Sequence, residues 1–179
     1  MMKKEGYTLI VLMIAIFILS IGLLVAVPVW QTEMQREKEE ELIFRGNQYA
    51  EAIRRLQMKK PGVFPRTLDE LVKEKCIRKL YKDPMTDHGE WNLILPYTGP
   101  QTPPDSTQRT GSAQKVVVVP YNLIKSVDNP QIIGVVSSST KKSIRIYLEQ
   151  ESYDKWLFFY GQDPKKMPEI VHYGESEKD

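Results

Sequence analysis

The sequence predicts an α+β protein: a long N-terminal α-helix packed on a small globular domain with a short second helix and an antiparallel β-sheet. Three features of the chain lead to this prediction. Residues 7–30 carry no charge, residues 42–56 place apolar side chains at every third or fourth position, and β-type runs follow residue 115. The 179 residues suffice for one domain and an anchor.

Composition argues against several classes of function. The net charge is only +2, and basic and acidic residues are interspersed, so we expect no nucleic-acid partner. The single cysteine, Cys76, permits no intrachain disulfide and is predicted to be a packing or surface residue. Two histidines leave little material for a zinc site, and no nucleophile or cofactor motif occurs. The sequence therefore predicts a protein that is not an enzyme.

The uncharged run at residues 7–30 has the length of a transmembrane helix. At ~1.5 Å per residue it would be about 36 Å long, and the hydrocarbon core of a bilayer is ~30 Å thick. Lys3 and Lys4 precede the run, whereas residues 33–41 are mostly acidic. The positive-inside rule therefore places the N-terminus in the cytoplasm and the bulk of the chain outside.

Several kinds of N-terminal segment share these properties. An ordinary secretory signal fits poorly, because the apolar core is too long and the best cleavage site, after Ala26, has Leu24 before it and Pro28 close behind. A lipoprotein signal is excluded, since no cysteine follows the core. An uncleaved anchor and a prepilin leader remain.

The first residues carry a more specific pattern. A short basic leader ends at Gly6, and an aromatic residue, Tyr7, opens the long apolar helix. This arrangement resembles the class III signal of type IV pilins and pseudopilins. The resemblance implies that a prepilin peptidase cuts between Gly6 and Tyr7 and that Tyr7 becomes N-methylated. Pro28 lies where the family has a helix-breaking proline, associated with local melting of the helix during filament assembly.

The sequence departs from the family pattern at Val11. Most members have glutamate as the fifth residue of the mature chain, where it pairs with the terminal amine of a neighbouring subunit. A carboxylate in hydrocarbon is costly and is retained only for a function. Val11 removes that pairing, as in some tip subunits of secretion pseudopili, so a minor or tip subunit is one interpretation.

Residues 31–60 are predicted to continue as an amphipathic helix. The apolar stripe consists of Leu42, Gly46, Tyr49, Ile53 and Leu56. The charged residues between them are expected to face away, namely Glu39, Glu40, Arg45, Glu51, Arg54 and Arg55. The charge cluster at residues 36–41 is suited to contacts between protomers. Pro61 and Gly62 should end this helix.

A second helix is predicted from Leu68 to Tyr81. Thr67 and Glu70 form a capping box before it. We expect its buried face to consist of Leu68, Leu71, Val72 and Leu80.

The residues after this helix predict turns at Asp83-Pro84 and at His88-Gly89. The helix and the Asp-Pro turn resemble the major pseudopilin of type II secretion systems, with Met85 in place of an aromatic residue. Asp83 and Asp87 offer oxygens to calcium, but their spacing does not match an EF-hand loop. No cofactor is therefore predicted, and calcium is kept as an alternative.

The second half of the chain predicts a small sheet packed on the long helix. Residues 96–114 read as a long exposed loop. Strands are expected at residues 116–119, 132–136, 143–148 and 156–160. Trp156, Phe158 and Tyr160 alternate and are predicted to share one face in the core.

The resulting division of the chain is a leader (1–6), a transmembrane or filament-core helix (7–30), an amphipathic spine (31–60), a periplasmic domain (61–162) and a loose tail (163–179). The resemblance implies a single-pass inner-membrane pseudopilin that assembles into a periplasmic pseudopilus for protein secretion. Its partners would be other pseudopilins, the prepilin peptidase, the inner-membrane assembly platform, the secretion ATPase and membrane lipid. A minor type IV pilin, a competence pseudopilin and a non-polymerising anchored binding module are the alternatives.

Overall fold

The computed structural model describes residues 5–97, 115–163 and 166–174. The chain divides into two compact units, Met1–Glu37 and Lys38–Asp179. Helix α1, Glu5–Lys59, contributes residues to both units, which confirms the predicted long N-terminal helix. It ends where expected, because Pro61 follows and Gly62 takes a positive φ of 79°.

The first half of α1 is apolar and exposed. Every side chain that the structure describes at residues 7–30 is exposed. The helix runs through Pro28 without interruption. The Thr32 hydroxyl donates to the Pro28 carbonyl at 2.9 Å. Local melting at Pro28 during assembly stays a prediction.

The second half of α1 buries one face against the domain. All five residues of the predicted stripe are buried, as is Ala52. One prediction for this segment was wrong: Glu39 was expected to face away and is fully buried. The error has a simple cause. Glu39 precedes Leu42 by three residues and Gly46 by seven, which puts it on the buried face of the helix.

Helix α2, Leu68–Lys73, is much shorter than predicted. The chain turns at Lys75, whose φ is +56°, and the amides of Cys76 and Ile77 both donate to the Leu71 carbonyl. This turn ends the helix and satisfies its last carbonyls. Leu68 and Leu71 are buried as predicted, but Val72 is only half-buried and Leu80 is exposed. Cys76 and Ile77 occupy the core instead.

The predicted capping box is only half formed. A Glu70 carboxylate oxygen accepts from the Arg66 amide at 2.9 Å, one residue before the expected position. The Thr67 side chain makes no capping hydrogen bond.

Seven strands occur in the described residues: β1 Trp91–Pro96, β2 Lys115–Val119, β3 Gly134–Ser137, β4 Lys142–Tyr147, β5 Gln150–Ser152, β6 Phe158–Phe159 and β7 Glu169–His172. Five of them form a sheet in the order β6-β3-β1-β2-β7. Pairing is antiparallel except between β2 and β7, which are parallel. The sheet is therefore mixed, not antiparallel as predicted.

Two further predictions about the sheet were wrong. Strand β4 does not join the five-stranded sheet, but pairs with β5 in a sheet of its own. The tail expected from residue 163 includes β7, in which Ile170 pairs with Val116 and His172 with Val118. Pairing between segments so far apart in the sequence cannot be predicted from local patterns of residues. Pro96 belongs to β1, and residues 98–114 of the predicted loop lie outside the described residues.

The five-stranded sheet has a core on each face. Leu93, Val135 and Phe158 pack with the buried face of α1, whereas Ile94, Val136 and Phe159 belong to a second cluster. Alternation along each strand sends neighbouring residues to opposite faces. Trp156 and Phe158 are buried together as predicted, but Tyr160 lies at the surface.

Candidate functional site

The apolar half of α1 is the candidate site for contact with lipid. Its most apolar 18-residue window has a mean hydropathy of 3.2, and none of that window is buried. By length and composition this helix can cross a membrane. An apolar surface of this extent, uncovered by the rest of its own unit, is typical of a site that contacts lipid or other protein.

The predicted site residues lie along this half of the helix. Gly6 and Tyr7 belong to its first turns, since α1 begins at Glu5, and the Tyr7 side chain is 73% exposed. Val11 follows one turn later and is also exposed. Pro28 lies near the other end of the uncharged run. Cleavage, methylation and the loss of the family acid stay predictions for these residues.

The second half of α1 is joined to the domain by a buried carboxylate that sequence analysis missed. Glu39 is 0% exposed. Its oxygens accept from the amides of Ile144 and Arg145, at 2.7 and 3.0 Å, and from the Tyr153 hydroxyl at 2.7 Å. Three donors satisfy a carboxylate that would otherwise be costly to bury. Strand β4 is thereby fixed to the helix.

A tyrosine hydroxyl makes a second junction. Tyr49 donates to the Tyr81 carbonyl at 2.9 Å and accepts from the Tyr81 amide at 2.8 Å. Burial raises the pKa of Tyr49 to about 12, so the hydroxyl keeps its proton for this bond. The indole of Trp91 donates to the same carbonyl at 2.9 Å, and its ring packs edge-on against Tyr49. The segment before β1 is held against α1 by these contacts.

Helix α1 lies very close to the sheet at Gly46. A Cβ atom placed on Gly46 would lie 2.3 Å from the ring of Phe158. Real Cβ atoms do not approach ring carbons that closely, so a glycine is required here. The helix and strand β6 pack together at a distance that any larger residue would increase.

Asp83 and Asp87 were considered as calcium ligands, and the carboxylate of Asp83 is used in hydrogen bonds within the domain. Asp83 is buried; one carboxylate oxygen accepts from the Met85 amide at 2.8 Å and the other from the Ser137 hydroxyl at 2.7 Å. Burial raises the pKa of this carboxyl, and the hydrogen bond from Ser137 opposes the rise. Asp87 is exposed. Within the described ranges, no group of three or more His, Cys, Asp or Glu residues is placed to hold a metal.

The two parts of α1 therefore differ: residues 38–59 contact the domain through Glu39, Gly46 and Tyr49, among others, and residues 7–30 have an exposed apolar surface. Comparisons with protein-family models, with curated proteins and with solved structures found no match to this chain. Function is therefore inferred from the sequence pattern and from this geometry.

Proposed function

We propose that this chain is a pseudopilin, a subunit of a type II secretion pseudopilus with a pilin-like fold. The observation that carries the proposal is the contrast within α1. The uncharged half from residue 7 to residue 30 exposes all its described side chains, and the half that follows is fixed to a domain. A filament subunit needs both: an apolar helix for lipid and then for the filament core, and a domain that stays attached to it.

The proposed mechanism begins with the prepilin peptidase, which removes residues 1–6 and leaves Tyr7 as a methylated N-terminus. The inner-membrane platform and the secretion ATPase then move the subunit from lipid into a growing periplasmic filament of pseudopilins. Force on the helix reaches the domain through the contacts of Glu39, Gly46 and Tyr49. No cofactor and no catalytic group is needed for this activity.

The test is the intact mass of the protein extracted from membranes, with and without a working prepilin peptidase. We expect the mass to fall by residues 1–6 and to rise by one methyl group only when the peptidase is present. A Gly6→Leu variant is the control, because it should keep its full length in both cases. Retention of Met1 and Lys3 in the presence of the peptidase would overturn the proposal.

A second candidate is a periplasmic binding module that is anchored by residues 7–30 and never polymerises. Val11 favours it, because the chain lacks the acid that recruits family members into filaments. This candidate keeps its leader, so the same mass measurement separates the two. A minor type IV pilin and a competence pseudopilin remain variants of the first proposal, distinguished by which assembly platform the chain requires.

A further inference from the structure

The segment that follows α2 has a strongly basic exposed surface. Residues 73–82 contain five basic residues and one acidic residue. All five basic side chains are exposed, and they define what we call the basic strip: Lys73, Lys75, Arg78, Lys79 and Lys82. Along the whole chain the charges looked interspersed, but in this segment five basic residues outnumber a single acidic one.

Contacts with α1 show how the basic strip lies. The Glu74 carbonyl accepts from Lys59 at 2.7 Å, the Tyr81 carbonyl accepts from the Tyr49 hydroxyl, and the Lys82 carbonyl accepts from Arg45 at 2.6 Å. The strip therefore runs antiparallel to the helix, from its residue 59 back to its residue 45.

The surface of the strip is both basic and apolar. Its single acid, Glu74, has its pKa lowered by the hydrogen bond from Lys60, which offsets its charge. Leu80, within the strip, is 38% exposed, and Phe44, which packs its ring edge-on against Tyr81, is 55% exposed. Basic residues beside exposed apolar ones are suited to an amphipathic partner with acidic residues.

The same chain contains such a partner segment. Residues 33–41 carry five acidic and two basic residues; Glu39 is buried against the domain, so four of the acidic side chains are exposed, and Met34 among them is 49% exposed. Glu33, Glu37 and Glu41 are spaced four residues apart on one face of the helix, where like charges repel. Within one copy, Arg45 pairs with Glu41 at 2.8 Å, Arg36 lies 3.5 Å from Glu33, and Arg145 pairs with Glu40. In the part of the chain that the structure describes, no cation pairs with Glu37.

We infer that the basic strip of one copy binds the acidic segment at residues 33–41 of a second copy. The inference rests on the proposed function and names the surfaces through which neighbouring subunits meet. A second copy is favoured because the chain itself supplies the opposite charge and an exposed apolar residue in each surface. The two surfaces are different, so the contact is heterologous, and a heterologous contact that does not close into a ring repeats as a filament.

The experiment reports the contact by a disulfide between copies, in the full chain in its native membrane. Met34→Cys and Leu80→Cys are placed in a Cys76→Ser background, which leaves every charge in both surfaces unchanged. Two cysteines form a disulfide only when their Cα atoms come within about 7 Å. We expect oxidation to give covalent dimers and longer ladders, since each copy offers both surfaces.

Charge reversal tests whether the basic strip is responsible. Arg78→Glu with Lys79→Glu should lower the dimer yield about tenfold, because like charges then face each other across the contact. Adding Glu33→Lys with Glu37→Lys should restore the yield. Reversal of residues 33 and 37 alone should lower it as strongly, and these residues lie outside the domain. The matched control, Lys125→Glu with Lys155→Glu, reverses two exposed charges elsewhere and should change nothing.

Each contrary result has a definite meaning. An unchanged dimer yield in both reversed variants would overturn the inference. The inference would also be overturned if the dimer yield fell only with anionic lipid and the compensating reversal did not restore it. Lipid headgroups would then be the partner of the basic strip. Intact mass is measured on every sample. A cleaved leader without dimers contradicts this inference alone, whereas an uncleaved leader contradicts the proposed function.

Discussion

The two halves of α1 differ in what surrounds them. Residues 38–59 bury Leu42, Tyr49 and Ile53 against the domain, and even a carboxylate on that face finds three donors. At residues 7–30, every side chain that the structure describes is exposed. Of the described side chains in these two halves, only side chains of residues 38–59 are packed against the rest of the same copy. The first half is an apolar surface that requires a partner from outside, which is lipid and then other subunits in our proposal.

The largest effect is expected where the second half depends on one side chain. Glu39→Ala would remove the acceptor of the part-buried amides of Ile144 and Arg145 and of the buried Tyr153 hydroxyl, so we expect a loss of about 3–5 kcal/mol in the free energy of unfolding. Glu40→Ala is the matched control. It removes only an exposed ion pair with Arg145, worth below about 1 kcal/mol. Urea unfolding in detergent measures both, and equal losses would contradict the account.

A charge introduced into residues 7–30 should weaken membrane insertion and leave the stability of the domain unchanged. Leu19 lies near the middle of the uncharged run and is exposed. Leu19→Arg is expected to cost about 3 kcal/mol of insertion free energy. Alkaline carbonate should therefore release more of the variant than of the parent protein, while urea unfolding of the domain stays the same. A variant that unfolds more easily but stays in the membrane would reverse our assignment of the two halves.

Gly46 and Gly22 allow the same substitution to be compared in the two halves of α1. Gly46→Ala forces a Cβ atom into the Phe158 ring, and overpacking of this kind costs about 1–3 kcal/mol. Gly22→Ala meets nothing within 4 Å, so it should leave the unfolding of the domain unchanged. Thermal unfolding followed by tryptophan fluorescence separates the two variants. A stable Gly46→Ala protein would show that the helix and β6 do not approach as closely as described.

The smallest effect concerns pH and the Asp83 turn. Burial raises the pKa of the Asp83 carboxyl above its ordinary value of 3.8, so the native protein binds this proton more tightly than the unfolded chain does. The free energy of unfolding should therefore rise as pH falls through the native pKa, and the gain should be complete below 3.8. Asp83→Asn does not titrate and should lack this gain. Urea unfolding of both proteins across this range checks it, and parallel pH profiles would contradict the assignment.

Periodicity along the chain was enough to predict α1 and its buried stripe. It failed where contacts between distant segments decide the structure. Glu39 was predicted to be exposed because it is charged. The amides of Ile144 and Arg145, more than a hundred residues away, donate to its carboxylate and allow it to be buried. The parallel pairing of β7 with β2 is equally invisible to local patterns.

Only part of the candidate site could be predicted from the sequence, for the same reason. The apolar run and its position near Gly6 and Tyr7 are local features, so the sequence was enough to locate them. The basic strip depends on how residues 73–82 pack beside α1, and the early end of α2 at Lys73 makes that packing possible. A helix continued to Tyr81, as predicted, would have distributed these charges around its circumference.

Thiol accessibility in intact cells tests the proposed location of the first half of α1. Single cysteines replace Leu12, Ile16, Leu23 or Met34 in a Cys76→Ser background, and a membrane-impermeant maleimide is added from the periplasmic side. We expect rapid labelling at position 34 and none at positions 12, 16 and 23. Labelling at position 16 as fast as at position 34 would show that this helix is not in a membrane, and the proposed function would not stand.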